Sequence, residues 1–157
     1  MFVQKTNNKM TLKLNFVYSW IYFESLNKHV RKDITWERVK ELGKEFEAKY
    51  ADEIKKIVEI IPEVTKLNWK EDRINVYVVE WAGISFSHPL TLKVREDLLL
   101  MLVVLTHELI HNILTEKTTK QTEIKINDYV EQIFNKLNID AKAQISLLRK
   151  VSEIEVK

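Results

Sequence analysis

The most restrictive feature of this 157-residue sequence is a long stretch, from about Val94 to Glu116, that contains neither glycine nor proline. Apolar side chains lie nearly all round this stretch from Leu98 to Leu105, which predicts a central helix buried in the core. The apolar run is much shorter than the roughly 20 residues that a membrane-spanning helix needs. We therefore expect no membrane span.

The composition narrows the choice of function. The whole chain has only two glycines and two prolines, which predicts long elements within a single domain over residues 1–157. With no cysteine it has no disulfide and no thiolate zinc site, so any metal must bind to His, Asp or Glu. Interleaved charges with a net charge of +2 give no reason to expect nucleic-acid binding. The N-terminus lacks the pattern of a signal peptide, which predicts a cytoplasmic protein.

The N-terminal half contains one clear helix. Residues 10–23, MTLKLNFVYSWIYF, alternate and then become aromatic, which is compatible with either a strand or part of a helix. From Thr35, a plausible N-cap, apolar residues follow at helical spacing. They predict a long amphipathic helix that ends near Pro62, with a break around Gly43.

Two strands are predicted next. The segments RINVYVVEW and ISFSHPLTLKV alternate between apolar and polar residues, and Ala82 and Gly83 between them predict a turn. After the central helix, Thr118 and Gln121 fit a capping box that starts another helix. Its apolar stripe consists of Ile126, Val130, Ile133, Phe134 and Leu137. A short periodic stretch in the tail contains Ile145, Leu148 and Val151.

The central helix carries an HExxH motif formed by His107, Glu108 and His111. Residues four apart lie on the same face of a helix, so both imidazoles can reach one ion. Neutral imidazoles suit zinc, and a catalytic zinc site keeps a fourth position open for water. Glu108 lies about 100° round the helix from His107 and can face that water without binding the metal. The alternative is two core histidines that are hydrogen-bonded without a metal.

A catalytic zinc site needs a third protein ligand. If the next helix starts near Thr118 and returns antiparallel, Glu123 reaches the level of the histidines on its apolar stripe. Asn127, one turn later, can then hydrogen-bond a ligating histidine. Glu131 lies on the flank of the stripe and stays open as an alternative ligand. The other candidates are Glu116, Asp128 and a distant histidine.

HELIH followed by a glutamate on the next helix resembles the gluzincin group of zinc metallopeptidases. The small size is similar to that of the archaeal minimal gluzincins, or minigluzincins, which resemble reduced catalytic domains of larger HExxH peptidases. The resemblance covers residues 70–137 and implies a small antiparallel sheet, an active-site helix and a glutamate-bearing helix. With the long N-terminal helix, the predicted fold is α+β.

The resemblance also implies roles for individual residues. His107, His111 and Glu123 are the implied zinc ligands and Glu108 the implied general base, while Glu131 has a spacing that is seen in larger gluzincins. These residues predict a zinc-dependent metallopeptidase that acts on peptides or unfolded proteins. A catalytically inactive zinc-binding regulatory or partner-binding module is the alternative, and a helical domain without metal is the third interpretation.

Three further expectations concern the surroundings of the site. Residues 83–88 resemble the upper-rim strand of gluzincins, which can bind an extended peptide, although a core strand explains the pattern equally well. No motif places an oxyanion donor. His88 and Tyr129 are candidates, against simpler interpretations as a turn residue and a surface aromatic. Minigluzincins also resemble zymogens, so the tail over 138–157 or the N-terminal segment is expected to block the cleft.

Overall fold

The computed structural model describes residues 10–28, 34–80 and 85–153, of which Phe86 is described by its backbone alone. The elements follow one another in the order β1 (Lys13–Val17), α1 (Trp20–Leu26), α2 (Trp36–Thr65), β2 (Arg73–Val79), β3 (Phe86–Ser87), β4 (Leu90–Lys93), α3 (Leu98–Leu114), α4 (Lys120–Lys136) and α5 (Lys142–Ser152). Strands and helices are thus mixed along the chain, as predicted.

The sheet is mostly parallel, so the predicted antiparallel sheet is wrong. Its strand order is β1-β2-β4-β3, in which β1 and β4 both pair parallel with β2, and only the short edge strand β3 pairs antiparallel with β4. Parallel neighbours need a long crossover, and α1 with α2 provides one between β1 and β2. Alternation along a strand shows which side chains face the core but not the direction of the partner strand.

The segment predicted as one strand over residues 84–94 is divided into β3 and β4. Between them lie His88 and Pro89, and proline favours a turn because it fixes φ and has no N–H for a strand ladder. The turn predicted at Ala82 and Gly83 lies outside the described residues.

The segment over residues 10–23, for which the sequence was compatible with either a strand or a helix, contains one of each. Its alternating part forms β1, and its aromatic part enters α1. Ser19 separates the two, because its side chain accepts a hydrogen bond from the Tyr22 amide and caps the helix.

The long helix α2 begins as predicted, with Thr35 as its N-cap. It ends at Thr65, three residues after Pro62, because the carbonyl of Pro62 still accepts a hydrogen bond from the Lys66 cap. The backbone departs from helical geometry at Tyr50 and not at Gly43. Gly43 is instead buried.

The two predicted site helices are both present, with shifted ends. α3 is shorter than the predicted 94–116, because Val94 continues the sheet and Asp97 caps the helix with its side chain. α4 begins one residue later than the capping box indicated, with Thr119 and not Thr118 as its N-cap. The periodic tail forms α5, which buries Ile145 and Leu148. Within the described ranges, no helix is both long and apolar enough to cross a membrane.

Candidate metal centre

The two histidines of the HExxH motif and a glutamate of the next helix meet in the core. His107 Nε2 and His111 Nε2, one turn apart on α3, lie 3.1 Å from each other. Glu123, in the first turn of α4, places Oε2 3.2 Å from His107 Nε2 and Oε1 2.8 Å from His111 Nε2. The predicted set of His107, His111 and Glu123 is therefore brought together, and it could hold a metal ion.

The spacing of these atoms fits a tetrahedral site. Ligand atoms about 2.0–2.1 Å from a tetrahedral zinc ion lie about 3.4 Å from one another. The contacts between His107, His111 and Glu123 measure 2.8–3.2 Å, close to that separation. Two imidazoles and one carboxylate are also the donor set of many catalytic zinc sites.

Asn127 fixes the orientation of His107. The Asn127 side-chain amide donates to Ser152 Oγ and to Glu153 Oε1, so its Oδ1 atom is the one that faces His107 Nδ1, at 2.9 Å. An amide oxygen only accepts, so the hydrogen-bond network assigns the proton of the neutral ring to Nδ1. The lone pair of Nε2 then points towards Glu123. The contact predicted between Asn127 and a histidine is present.

The Glu123 carboxylate and the lone pair of His107 Nε2 together create a negative electrostatic potential that a cation would neutralise. Glu123 Oε2 is buried without a hydrogen-bond partner among the described residues, and it faces the lone pair of His107 Nε2 at 3.2 Å. Either a proton or a metal ion on Nε2 relieves this repulsion. A buried, unsatisfied carboxylate oxygen at the meeting point of two imidazoles is thus a structural reason to expect a bound cation.

The pKa shifts of His107 and Glu123 agree with this arrangement. Burial by itself lowers the pKa of His107, but the neighbouring Glu123 and Glu108 carboxylates outweigh it, and the net pKa is raised. Burial by itself raises the pKa of Glu123, but the two histidines outweigh it and lower this pKa to about 2. Glu123 is therefore a carboxylate at neutral pH, as a metal ligand must be.

Glu108 is close to the three ligands but separate from them. It is 7% exposed and lines a cavity together with His107, His111 and Glu123. Burial raises the pKa of the Glu108 carboxyl, and the nearby histidines only partly oppose this shift. A buried carboxyl group with a raised pKa beside a candidate metal site has the properties of a proton-transfer group.

The alternative ligands are engaged elsewhere. Glu131 and Asp128 both accept hydrogen bonds from Arg149 at 3.0 Å, and Glu116 pairs with Lys125 at 3.2 Å. These carboxylates are solvent-exposed and do not reach the histidines. Of the remaining histidines, His88 is exposed, and His29 lies outside the described residues.

The cavity beside the histidines has a volume of about 420 Å³ and lies between α3, β3 and α5. Neither His88 nor Tyr129 lines it, so the structure does not bring either candidate oxyanion donor into the cavity wall. Ser87 of β3 does line the cavity, and β3 is an edge strand, as expected of a rim strand. Its Ser87 carbonyl, however, already accepts a hydrogen bond from Asn112 at 2.8 Å.

The tail predicted to block the cleft packs over the site as α5. Leu147, Leu148 and Val151 of α5 line the cavity, and Ser152 and Glu153 at its end contact Asn127. The sequence predicted only that this tail or the N-terminal segment blocks the cleft, without naming the residues that make the contacts. The sequence contains no local signal for the contacts of Ser152 and Glu153 or for the position of Arg95 on the cavity wall. These positions depend on how elements that are distant in sequence pack together.

No protein-family model, no curated protein and no solved structure matches the chain.

Proposed function

We propose that the protein is a zinc-dependent metallopeptidase whose metal is held by His107, His111 and Glu123. The observation that carries the proposal is the convergence of two Nε2 atoms and one carboxylate within 4.8 Å, with Glu108 buried beside them. Zinc suits this donor set because imidazole and carboxylate groups bind it in open catalytic sites. The resemblance of HELIH and the following glutamate to gluzincins supports the same assignment.

When bound, zinc would lower the pKa of a water molecule and polarise the carbonyl of a peptide bond. The protein's own contribution is made by Glu108, whose carboxylate accepts a proton from the attacking water and then donates it to the leaving amine. Its raised pKa suits both steps, because a group that gains and loses a proton in one cycle works best near the working pH. His107 is held in the correct orientation by Asn127.

We further propose that the protein is latent in this conformation. The helix α5 forms one wall of the cavity with apolar side chains, and we expect this wall to exclude a long polypeptide, whereas the cavity of about 420 Å³ is large enough for a short peptide. A zymogen-like state of this kind agrees with the resemblance to minigluzincins.

The direct test compares the turnover of fluorescently labelled, denatured casein by the zinc-loaded Leu148→Ala protein, in which the packing of α5 on the cavity is weakened, and by the same protein carrying Glu108→Gln. We expect the substitution to reduce turnover by at least about 10²–10⁴-fold, because glutamine cannot accept a proton, while one zinc per chain is retained. Glu116→Gln, at an exposed glutamate after α3, is the matched control and is expected to keep full activity. Equal turnover by the Leu148→Ala protein with and without Glu108→Gln would remove the proposed base.

The second candidate is a zinc-binding regulatory or partner-binding module without catalysis. The linkage of α5 to Asn127, and through it to His107, favours this alternative because a permanent cover would prevent turnover. Both functions require zinc. The two candidates are distinguished by peptidase activity after the packing of α5 has been weakened. A regulatory or partner-binding module stays inactive, whereas a latent peptidase becomes active.

A further inference from the structure

An arginine lies on the wall of the cavity with no acidic partner among the described residues. Arg95 lines the same cavity as His107 and Glu108. Its Nε atom is buried and has no hydrogen-bond partner within residues 10–28, 34–80 and 85–153. A buried N–H group without an acceptor is unfavourable by roughly 1–3 kcal/mol, so native proteins rarely leave one without a function.

The nearest acidic residues in the sequence do not neutralise Arg95, because each is engaged elsewhere. Glu96 accepts two hydrogen bonds from Arg38, at 3.0 and 2.8 Å. Asp97 caps the first turn of α3 with one carboxylate oxygen and accepts a hydrogen bond from Gln144 with the other, at 3.1 Å. The guanidinium group therefore remains available to a ligand in the cavity.

The position of Arg95 relative to the metal centre defines the size of such a ligand. Arg95 precedes α3, and the start of this helix at Leu98 lies about 14 Å along its axis from His107. The arginine side chain covers part of that distance. An extended peptide advances about 3.3 Å per residue, so roughly three residues would connect the two groups. Leu100 and Val104 line the cavity between them and offer an apolar wall.

We propose that Arg95 binds a carboxylate of the substrate, so that the site selects peptides with a negative charge roughly three residues from the bond over the metal. This inference rests on the proposed function. Arginine suits this role because its planar guanidinium group can donate two parallel hydrogen bonds to one carboxylate. The carboxylate belongs either to the C-terminus of a peptide or to an acidic side chain, since both present the same two oxygens.

The test measures the affinity of the full-length protein for three peptides by isothermal titration calorimetry. The peptides are acetyl-Leu-Ala-Ala with a free C-terminal carboxylate, the same peptide as its C-terminal amide, and acetyl-Leu-Ala-Glu-amide. We expect at least one of the two carboxylate peptides to bind about 10- to 100-fold more tightly than the uncharged amide. Which of them binds tightly distinguishes a C-terminal from a side-chain carboxylate.

The arginine is tested by Arg95→Gln, with Arg95→Lys as a charge-preserving variant and Arg73→Gln, at an exposed position at the start of β2, as the matched control. We expect Arg95→Gln to abolish the preference for a carboxylate, Arg95→Lys to weaken it, and Arg73→Gln to leave it unchanged. A preference that survives in Arg95→Gln would overturn the proposal. So would equal binding of the carboxylate and amide peptides by the wild type, or no binding of any peptide at millimolar concentration.

A carboxylate can also bind zinc directly, so each titration is repeated on protein stripped of metal with a chelator. We expect the Arg95-dependent preference to persist without metal, whereas a preference that disappears on stripping would assign the carboxylate to the metal centre and contradict the proposal. This binding measurement does not depend on turnover. An absence of peptidase activity would refute the proposed function and leave the result on Arg95 unaffected.

Discussion

At the scale of single residues, the orientation of one imidazole ring links the candidate metal centre to the rest of the molecule. His107 Nδ1 faces the oxygen of Asn127, and the amide of Asn127 is in turn held by Ser152 and Glu153. Such a contact keeps the ring in the tautomer that presents Nε2 to a metal. Asn127 is fully buried, so solvent does not compete for its amide group in this structure.

We therefore predict that Asn127→Ala lowers zinc affinity by about 10- to 100-fold without removing any ligand. Affinity is measured by competition with a chromogenic zinc chelator. Asn135→Ala, at an exposed asparagine of the same helix, is the matched control and is expected to bind zinc like the wild type. An unchanged affinity in Asn127→Ala would show that this contact does not position His107.

At the scale of elements, periodicity predicted the helices well and the sheet poorly. The apolar patterns predicted the central helix and the next helix, and the antiparallel return placed Glu123 opposite the histidines. Along α4, Glu123 meets His111 and Asn127 meets His107, so the two helices do run in opposite directions. The antiparallel sheet that the resemblance implied is wrong, because strand direction depends on crossover connections, which alternation does not report.

The packing of α2 on the start of the chain gives a stability prediction. A Cβ atom at Gly43 would lie 2.6 Å from the Tyr18 ring, which is held in place by a hydrogen bond to Glu47. We predict that Gly43→Ala lowers the free energy of unfolding by about 1–2 kcal/mol, because overpacking outweighs the helix-propensity gain of up to about 1 kcal/mol. Urea denaturation measures the change.

The control for Gly43 is the same substitution in a Tyr18→Ala background, where the clash is absent. There we expect Gly43→Ala to be neutral or stabilising. The same loss of stability in both backgrounds would show that the close approach of Tyr18 is not the cause.

The cover formed by α5 gives a prediction about activity. Leu148 is buried and lines the cavity, so Leu148→Ala removes packing worth about 2–5 kcal/mol and increases local opening of α5. We predict that this variant hydrolyses denatured casein several-fold faster than the wild type. Lys150→Ala, at an exposed position of the same helix, should not change the rate. Slower turnover by Leu148→Ala would indicate that α5 supports the active site and does not block it.

At the scale of the whole molecule, the candidate site forms where three helices meet, and this explains which parts were predictable. HExxH and Glu123 lie on adjacent helices with a short connection, so helix geometry alone brings them together. Ser152 and Glu153 reach the site only because α5 docks against both α3 and α4. Arg95 reaches the cavity only through the junction between β4 and α3. Such docking is not encoded in local periodicity.

The most direct test of the account is the zinc content of the purified protein, measured by elemental analysis for the wild type and for alanine variants of His107, Glu123 and Glu131. We predict about one zinc ion per chain in the wild type and in Glu131→Ala, because Glu131 is exposed and paired with Arg149. His107→Ala and Glu123→Ala should lose the metal. No zinc in the wild type after incubation with excess zinc, or full zinc retention by Glu123→Ala, would contradict the account.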